Sequence, residues 1–574
     1  MDSQKRLMLA MVLSALVIFA SQYFFAKPLP PSPADGGVAL ATAPVVEANS
    51  GALAPLPAPQ VNPAASGSPA PVLTEVKVSV SRAQVHYVFS NLGGGLLSAE
   101  LQGPKMREQE EVSWNDAMGR LLGKKAENAP QMNMAHPVTG QPLPLSLSIT
   151  GAQPFNALTH FAVEDDGANR RVTFRGSDNG WEVTKVFHWD NDGFELAYDV
   201  TVKNLSDQPR QGELALHTLR GIDADHEESP SMFGGVGNQA QVGCAYADDY
   251  KHTLPMNKPP EEFKGPISFF GIDQQYFLTA VFPRGGARDG RCVLAATPTE
   301  RTATAYFPLQ VAAGQSVTQA FGVFMGPKDT DALSAAPSGT LAPAGAEPGN
   351  GPHLERAIDY GWWGVICKIL MGVLKFCHRL GGNWGLAIIM LTLLVRLLMT
   401  PINHRMMVGQ VKMQKVNPKL EAIKKKYPDD RERQQMEQMK LYKEEGINPF
   451  GSCLLLVLQM PIWIALFRTL RNSYEIYREP FFGAVWTDLT YKDPTYILPL
   501  LLGISQVITT RLQPQTMAPE QAKLMNWLMP VMFTAFLLKY PLGLTLYIFA
   551  SNVVGVIQQY TSKRLIARAS EAQA

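Results

Sequence analysis

Apolar residues are spread unevenly along this chain, and the unevenness separates segments suited to a bilayer from segments suited to a sheet. Residues 385–401 (GLAIIMLTLLVRLLMTP) are apolar enough to enter a membrane, yet carry Arg396, with Thr392 one turn before it. Residues 7–25 form a second run of spanning length. Lys5 and Arg6 precede it and no small-x-small site follows, which predicts an uncleaved anchor with a cytoplasmic N-terminus. A cleaved signal is the alternative. Further spans are expected at about 449–470, 496–509, 524–538 and 542–558, the last two joined by a tight turn at Lys539, Tyr540 and Pro541. Six spans return the C-terminus to the cytoplasm, and Lys563, Arg564 and Arg568 agree with that side.

Between the first span and the rest the period changes from helical to two. Residues 76–80, 84–89, 145–149, 171–174, 181–189 and 194–202 alternate apolar and polar positions, as half-buried strands do. Turn-forming clusters at 91–95, 177–180, 190–193 and 204–207 separate them. The pattern predicts a large antiparallel β-sandwich over residues 74–330, placed outside the cytoplasmic membrane. Residues 27–73 and 331–353 are rich in Pro, Ala and Gly and are expected as linkers.

Residues 354–383 read as an amphipathic helix lying in the membrane interface, with Tyr360, Trp362, Trp363, Val365, Ile369 and Phe376 on its apolar side and Lys368, Lys375 and Arg379 opposite. The core would occupy 384–574, interrupted by a basic segment, 402–447, expected as a cytoplasmic helical hairpin turning at Tyr427 to Asp430. Met406, Met407, Met413, Met436 and Met439 either offer an adaptable apolar surface to partners or pack the hairpin's own interface.

Composition narrows the chemistry. A net charge of +1 over 574 residues gives no overall attraction to nucleic acid. The five cysteines stand at no metal or redox spacing, so no metal or cofactor is expected. Cys244 and Cys292 fall in the sandwich, where a disulfide is permitted and two core thiols are the simpler expectation. Asp223, Asp225, His226, Glu227 and Glu228 match no ligand pattern and read as a solvated loop. Residues 119–125 (GRLLGKK) lack the spacing and the Ser/Thr of a phosphate loop.

An arginine at membrane depth costs about 3 kcal/mol on insertion scales. Arg396 is only five residues from Pro401, so snorkelling to the headgroups is one explanation. Polar residues in the other spans favour another: Gln459, Ser505, Gln506, Asn526, Thr534, Tyr547, Ser551, Asn552 and Gln558. Singly each is interhelical glue worth under about 1 kcal/mol. Together with a fixed cation they suggest a wet cavity in the inner half of the bilayer. No ATP motif and no intramembrane carboxylate accompany it, so the cavity suits a polypeptide better than a pump.

Several motifs carry a resemblance. Asp359 to Trp362 (DYGW), Gly382 to Gly385 (GNWG), Thr392 with Arg396, Asn448-Pro449, Gln459 to Pro461, Asp493-Pro494, Tyr496 to Pro499, Met529-Pro530 and Ser551-Asn552 all resemble the YidC-type membrane protein insertases of Gram-negative bacteria. The resemblance covers essentially the whole chain. It implies an α-helical polytopic membrane protein of six transmembrane helices, five forming an insertase core, plus a periplasmic sandwich resembling sugar mutarotases without their activity. It implies no enzyme and no cofactor, a cytoplasm-facing groove holding Arg396, and an inner-membrane location with both termini cytoplasmic. Client membrane proteins, the Sec translocon, translating ribosomes and the lipid bilayer are the implied partners. Two departures stand out: Ile548 follows Tyr547 where some relatives have a second tyrosine, and the short tail, poor in basic residues, argues against a strong ribosome contact. A small-solute transporter using the same cavity is the rival, as is an anchored sugar-active enzyme. The first predicts two related halves with interrupted helices, which the chain does not show. The second leaves five spans unexplained.

Overall fold

The alternating segments fold as antiparallel strands because each has an apolar face to bury. The computed structural model describes residues 75–109, 112–122, 129–189, 193–222, 240–247, 249–253, 259–335, 351–428, 430–446, 451–483, 485–512 and 519–571, and for 451–460 and 519–525 the backbone alone. The expected anchor (1–26), the linker 27–73 and the acidic cluster at 223–228 lie outside these residues. A meander of β1 (Lys77–Ser81), β2 (Val85–Ser90) and β3 (Leu96–Leu101) precedes the short helix α1 (Trp114–Leu121). The large sheet follows, formed by β4 (Leu147–Thr150), β5 (Ala162–Asp166), β6 (Arg171–Asp178), β7 (Trp181–His188), β8 (Glu195–Asn204), β9 (Arg210–Gly221), β10 (Gln241–Tyr246), β11 (Asp249–Thr253), β12 (Glu261–Asp273), β13 (Phe277–Pro283), β14 (Arg288–Ala296), β15 (Glu300–Val311) and β16 (Ser316–Pro327). Its order is β4-β9-β15-β14-β12-β13-β16-β8-β7-β6-β5, with β10 and β11 joined through β12.

Local sequence explains several joints. Asn179 and Gly180 both have positive φ (48° and 76°), the two-residue turn that suits a twisted hairpin, and Asp178 pairs directly with Trp181 across it. Along β7 the alternation runs without interruption, and it delivers one charge inward: Lys185 is fully buried. Its ammonium donates to the carbonyls of Gly93, Gly94 and Leu145 and lies 5.4 Å from the Tyr198 ring centre and 5.6 Å from that of Phe187. Gly93 supplies its carbonyl at φ 66°, where a Cβ would stand 2.5 Å from the Ala157 oxygen, so no other residue fits.

The sandwich continues past residue 330, the expected start of a linker, into α2 (Thr330–Ala335). After short turns, α3 (Gly364–Gly381) packs Cys367, Leu370, Met371, Leu374 and Cys377 inward. Val365, Ile369, Phe376 and Leu380 stay exposed. The helix is apolar on two sides, and Lys375 is drawn from the basic side into an ion pair with Glu475 at 2.9 Å.

Then come α4 (Trp384–Lys426), α5 (Arg431–Glu444), α6 (Gly451–Asn472), α7 (Ile497–Leu512), α8 (Pro519–Leu537) and α9 (Leu542–Glu571). Asn383 caps α4 and Asp430 caps α5. The basic segment forms a hairpin, but its first arm is not separate: α4 runs unbroken through Pro401 and Pro418. Two described helices, over Trp384–Ile423 and Leu542–Ile566, are long and apolar enough to cross a membrane. Ile497–Leu512 and Asn526–Leu537 are apolar and shorter.

One junction escapes any local pattern. Between α6 and α7 a 3-10 turn, Tyr474–Ile476, inserts into the sandwich, and Tyr474 and Tyr477 join its hydrophobic core. Tyr477 lies 4.5 Å from the Tyr276 ring and 5.4 Å from that of Phe277, and donates to the Arg107 carbonyl at 2.7 Å. Around it Lys105 pairs with Glu479, Arg478 donates to the Glu108 carbonyl, and Gln275 donates to the Arg471 carbonyl at 2.8 Å.

Candidate client groove

Spacing on α9 aligns Tyr547, Ser551, Gly555, Gln558 and Ser562 at steps of four and three, so they share one helix face. On α4 Arg396, Thr400 and His404 recur every four residues. The two faces meet. Arg396 donates through Nε to the Ser551 hydroxyl at 2.8 Å, and Tyr547 stands one turn before Ser551 on the same face. Gln558 donates to the Thr400 hydroxyl at 2.8 Å and to the Arg396 carbonyl at 3.0 Å, while His404 and Ser562 stand 3.3 Å apart. Residue numbers rise together on both helices, so α4 and α9 run parallel along this seam.

The guanidinium is mostly buried, and among the described residues no carboxylate pairs with it. The guanidinium packs against Gly555: a Cβ there would sit in ordinary van der Waals contact, 3.6 Å from both Nη1 and Nη2. The next helix continues the polar surface. Asn552 donates to the Gln506 side-chain oxygen at 2.8 Å and to the Ser505 hydroxyl at 3.4 Å, tying α9 to α7. Of the expected residues, Arg396 thus meets Ser551 between α4 and α9, and Asn552 meets Ser505 and Gln506 between α9 and α7.

Others stand apart. Thr392 is fully buried and spends its hydroxyl on the Ile388 carbonyl at 2.7 Å. Asn526 is half-buried on α8, and among the described residues no hydrogen bond joins it to these groove residues. The side chain of Gln459 lies outside the described residues. Gly555, Thr400 and His404 join the seam without being among the expected residues. Their signal was present: the steps of four on α4 and α9 continue through them.

Outside the seam the helices present Leu393, Leu397, Leu500, Ile504, Val553 and Ile557 as exposed apolar side chains. A polar seam within an apolar exterior is what lipid surroundings require. Family comparison agrees. Residues 78–373 match the YidC periplasmic domain and residues 376–569 match the 60Kd inner membrane protein family. A membrane protein insertase YidC of Anaeromyxobacter dehalogenans is 32% identical over 97% of this chain and 96% of its own length. The chain belongs to the YidC family of membrane protein insertases. A YidC of Geotalea daltonii is 28% identical over 98% of this chain and 99% of its own. The crystal structure of an active YidC insertase with its first transmembrane domain resolved covers 85% of this chain and 93% of its own, at 19% identity and TM-score 0.37. The family is one of inner-membrane proteins with a periplasmic domain, and membership supports a role other than enzyme catalysis.

Proposed function

We propose that this chain inserts membrane proteins by taking client segments into the groove between α4, α7 and α9, with Arg396 as the contact for an acidic client residue. The supporting observation is the geometry of the guanidinium. Ser551 holds Nε, Nη1 and Nη2 lie against the Gly555 backbone, and among the described residues no carboxylate pairs with the group. A half-buried cation without a resident counter-charge favours an incoming carboxylate, and charge-assisted hydrogen bonds are the stronger kind. The contact is transient because the client's apolar helix gains more by leaving for lipid, about 25 cal/mol per Å² of apolar surface buried. Membrane potential adds about 2.3 kcal/mol per acidic charge per 100 mV.

The groove opens toward the cytoplasm, both termini lie there, and residues 27–353 are periplasmic. The basic hairpin of α4 and α5 meets clients arriving from translating ribosomes, and release occurs alone or beside the Sec translocon. The test is insertion of a single-span protein with an acidic N-terminal tail into liposomes holding the purified chain, Arg396→Ala or Arg396→Lys. Insertion by the parent, a loss of about tenfold or more in Ala and substantial retention in Lys are expected. Equal insertion by all three would return Arg396 to a structural role.

A further inference from the structure

We propose that α1 lies in the bilayer surface, a foot by which the sandwich stands on the membrane beside the ends of the spans. Its sequence carries an apolar stripe. Trp114, Met118, Leu121 and Leu122 follow at steps of four, three and one, which puts them on one side of a helix, with Asp116 and Arg120 opposite. Such a stripe normally packs on the protein's own core. Here, of the residues of the helix, only Ala117 is buried. Trp114 and Leu121 are each 53% exposed and Leu122 is 83% exposed, so the stripe is left uncovered by the chain. An isolated helix of about two turns is marginal in water, and the face that should secure it has no partner among the described residues.

What covers the stripe follows from where the helix is mounted. The chain leaves the sandwich after Glu108 and returns at Ala129, and the two points meet: Arg107 donates to the Ala129 carbonyl at 2.6 Å and the Glu108 amide to the Pro130 carbonyl at 3.0 Å. Both stand on the α6–α7 junction. The Glu108 carbonyl accepts from Arg478, and Gln109 donates to the Thr490 hydroxyl at 3.3 Å and to the Asp488 carboxylate at 3.5 Å. That junction is a membrane boundary. The Tyr491 carbonyl accepts at 2.7 Å from Leu542, the first residue of α9. Exposed apolar side chains begin at Tyr496 and Ile497, where α7 starts. Gln109 and Trp114 are five residues apart, at most about 17 Å of chain, so α1 begins within reach of the headgroups. A tryptophan suits that level, leucines suit the apolar side beneath it, and Arg120, Lys124 and Lys125 follow in the sequence with stems long enough to reach phosphates. This is the make-up of a helix lying in an interface, and lipid is the cover that its mounting offers. The inference needs α7 and α9 to cross a membrane and is independent of the client groove.

The test places a photo-crosslinker on the stripe of the full chain, Leu122→p-benzoylphenylalanine, in liposomes of phosphatidylethanolamine and phosphatidylglycerol. Leu205→p-benzoylphenylalanine is the control. Leu205 is 49% exposed but follows Lys203, which pairs with Ser316 at one end of β16, whereas Pro327 at the other end pairs with Phe277 beside Tyr477. Both positions are exposed, so neither change disturbs the core. After illumination and digestion, mass spectrometry should find a phospholipid attached to the peptide holding residue 122, severalfold more often than to the peptide holding residue 205. Lipid adducts at 122 no more frequent than at 205 overturn the proposal. A crosslink from 122 mainly to residues 1–74 of the chain, or to a second copy, overturns it equally, because a protein segment is then the cover.

Discussion

Replacing Tyr477 should release the α6–α7 segment from the sandwich, by an amount the contacts allow to be estimated. The side chain is 1% exposed, stacks among Tyr276, Phe277 and Tyr474, and donates to the Arg107 carbonyl. Truncating a buried aromatic residue to alanine costs about 3–5 kcal/mol. Tyr477→Phe keeps the ring but orphans the Arg107 carbonyl, for about 1–3 kcal/mol. The partly exposed Lys105–Glu479 pair is worth about 0–1 kcal/mol, so Lys105→Met should be nearly silent. Hydrogen exchange of residues 473–479 in the full chain reads these differences directly. At about 1.4 kcal/mol per tenfold, Tyr477→Ala should exchange between a hundredfold and a few thousandfold faster, Tyr477→Phe several-fold to a hundredfold faster. High salt should change little in the parent, since apolar packing is unscreened. If Tyr477→Ala exchanges within threefold of the parent, or 1 M salt frees the segment as fully as the mutation does, aromatic insertion is not what holds the junction.

The remaining predictions concern pH and the groove. Burial lowers His217 to about 4, below its ordinary 6.5, as it sits between Ser148 and Thr304 with Lys185 nearby. The unfolded chain then binds the extra proton between pH 6.5 and 4, so sandwich stability falls as pH drops through that window, by about 3 kcal/mol for this residue. His217→Gln should flatten that acid limb in thermal unfolding scans, and an unchanged limb refutes the assignment. Burial raises Glu195 to about 8 despite Arg82, so it contributes stability at low pH that is lost between about pH 4.5 and 8, and Glu195→Gln should flatten the alkaline limb. Gly555→Leu should crowd the Arg396 guanidinium, which a Cβ at that position already touches, and cut insertion of an acidic-tailed client severalfold while the chain stays folded; full activity would move the client contact elsewhere.

Much of this fold is readable in the sequence because the readable parts are local. Period-two alternation marks β7 and β8 to within two residues of the observed ends, Asn179-Gly180 marks their neighbouring hairpin, and Asp430 marks the start of α5. Strand order is another matter. That β9 lies between β4 and β15, and that β12 carries β10, β13 and β14, depends on pairings between distant residues that leave no periodic trace. Lys185 reads as an error in a strand's apolar face until the Gly93, Gly94 and Leu145 carbonyls are brought to it from other segments. Tyr474 and Tyr477 likewise read as residues of a post-span loop, although they complete a core whose other members lie between Val80 and Met325. In the groove, residue types were legible and partners were not. Thr392 shares a helix face with Arg396, but its hydroxyl is satisfied by its own helix.

The extent of α4 bears on how groove and hairpin communicate. A proline inside a helix removes one backbone donor and usually bends or ends it. Here the helix continues past Pro401, and its flank is bound to α9 on both sides of that residue: Arg396 to Ser551 and Thr400 to Gln558 before it, His404 to Ser562 after it. The Arg396 carbonyl itself takes hydrogen bonds from the Thr400 hydroxyl and the Gln558 amide. The weakest point of the backbone ladder is thereby splinted by side chains. The same helix carries the groove cation at one end of the splint and the basic arm of the hairpin at the other. A displacement of the hairpin must either bend α4 at Pro401 or break the Gln558 and Ser562 contacts. Either route changes the surroundings of Arg396, so the proposed client contacts at the hairpin and in the groove would share one mechanical element.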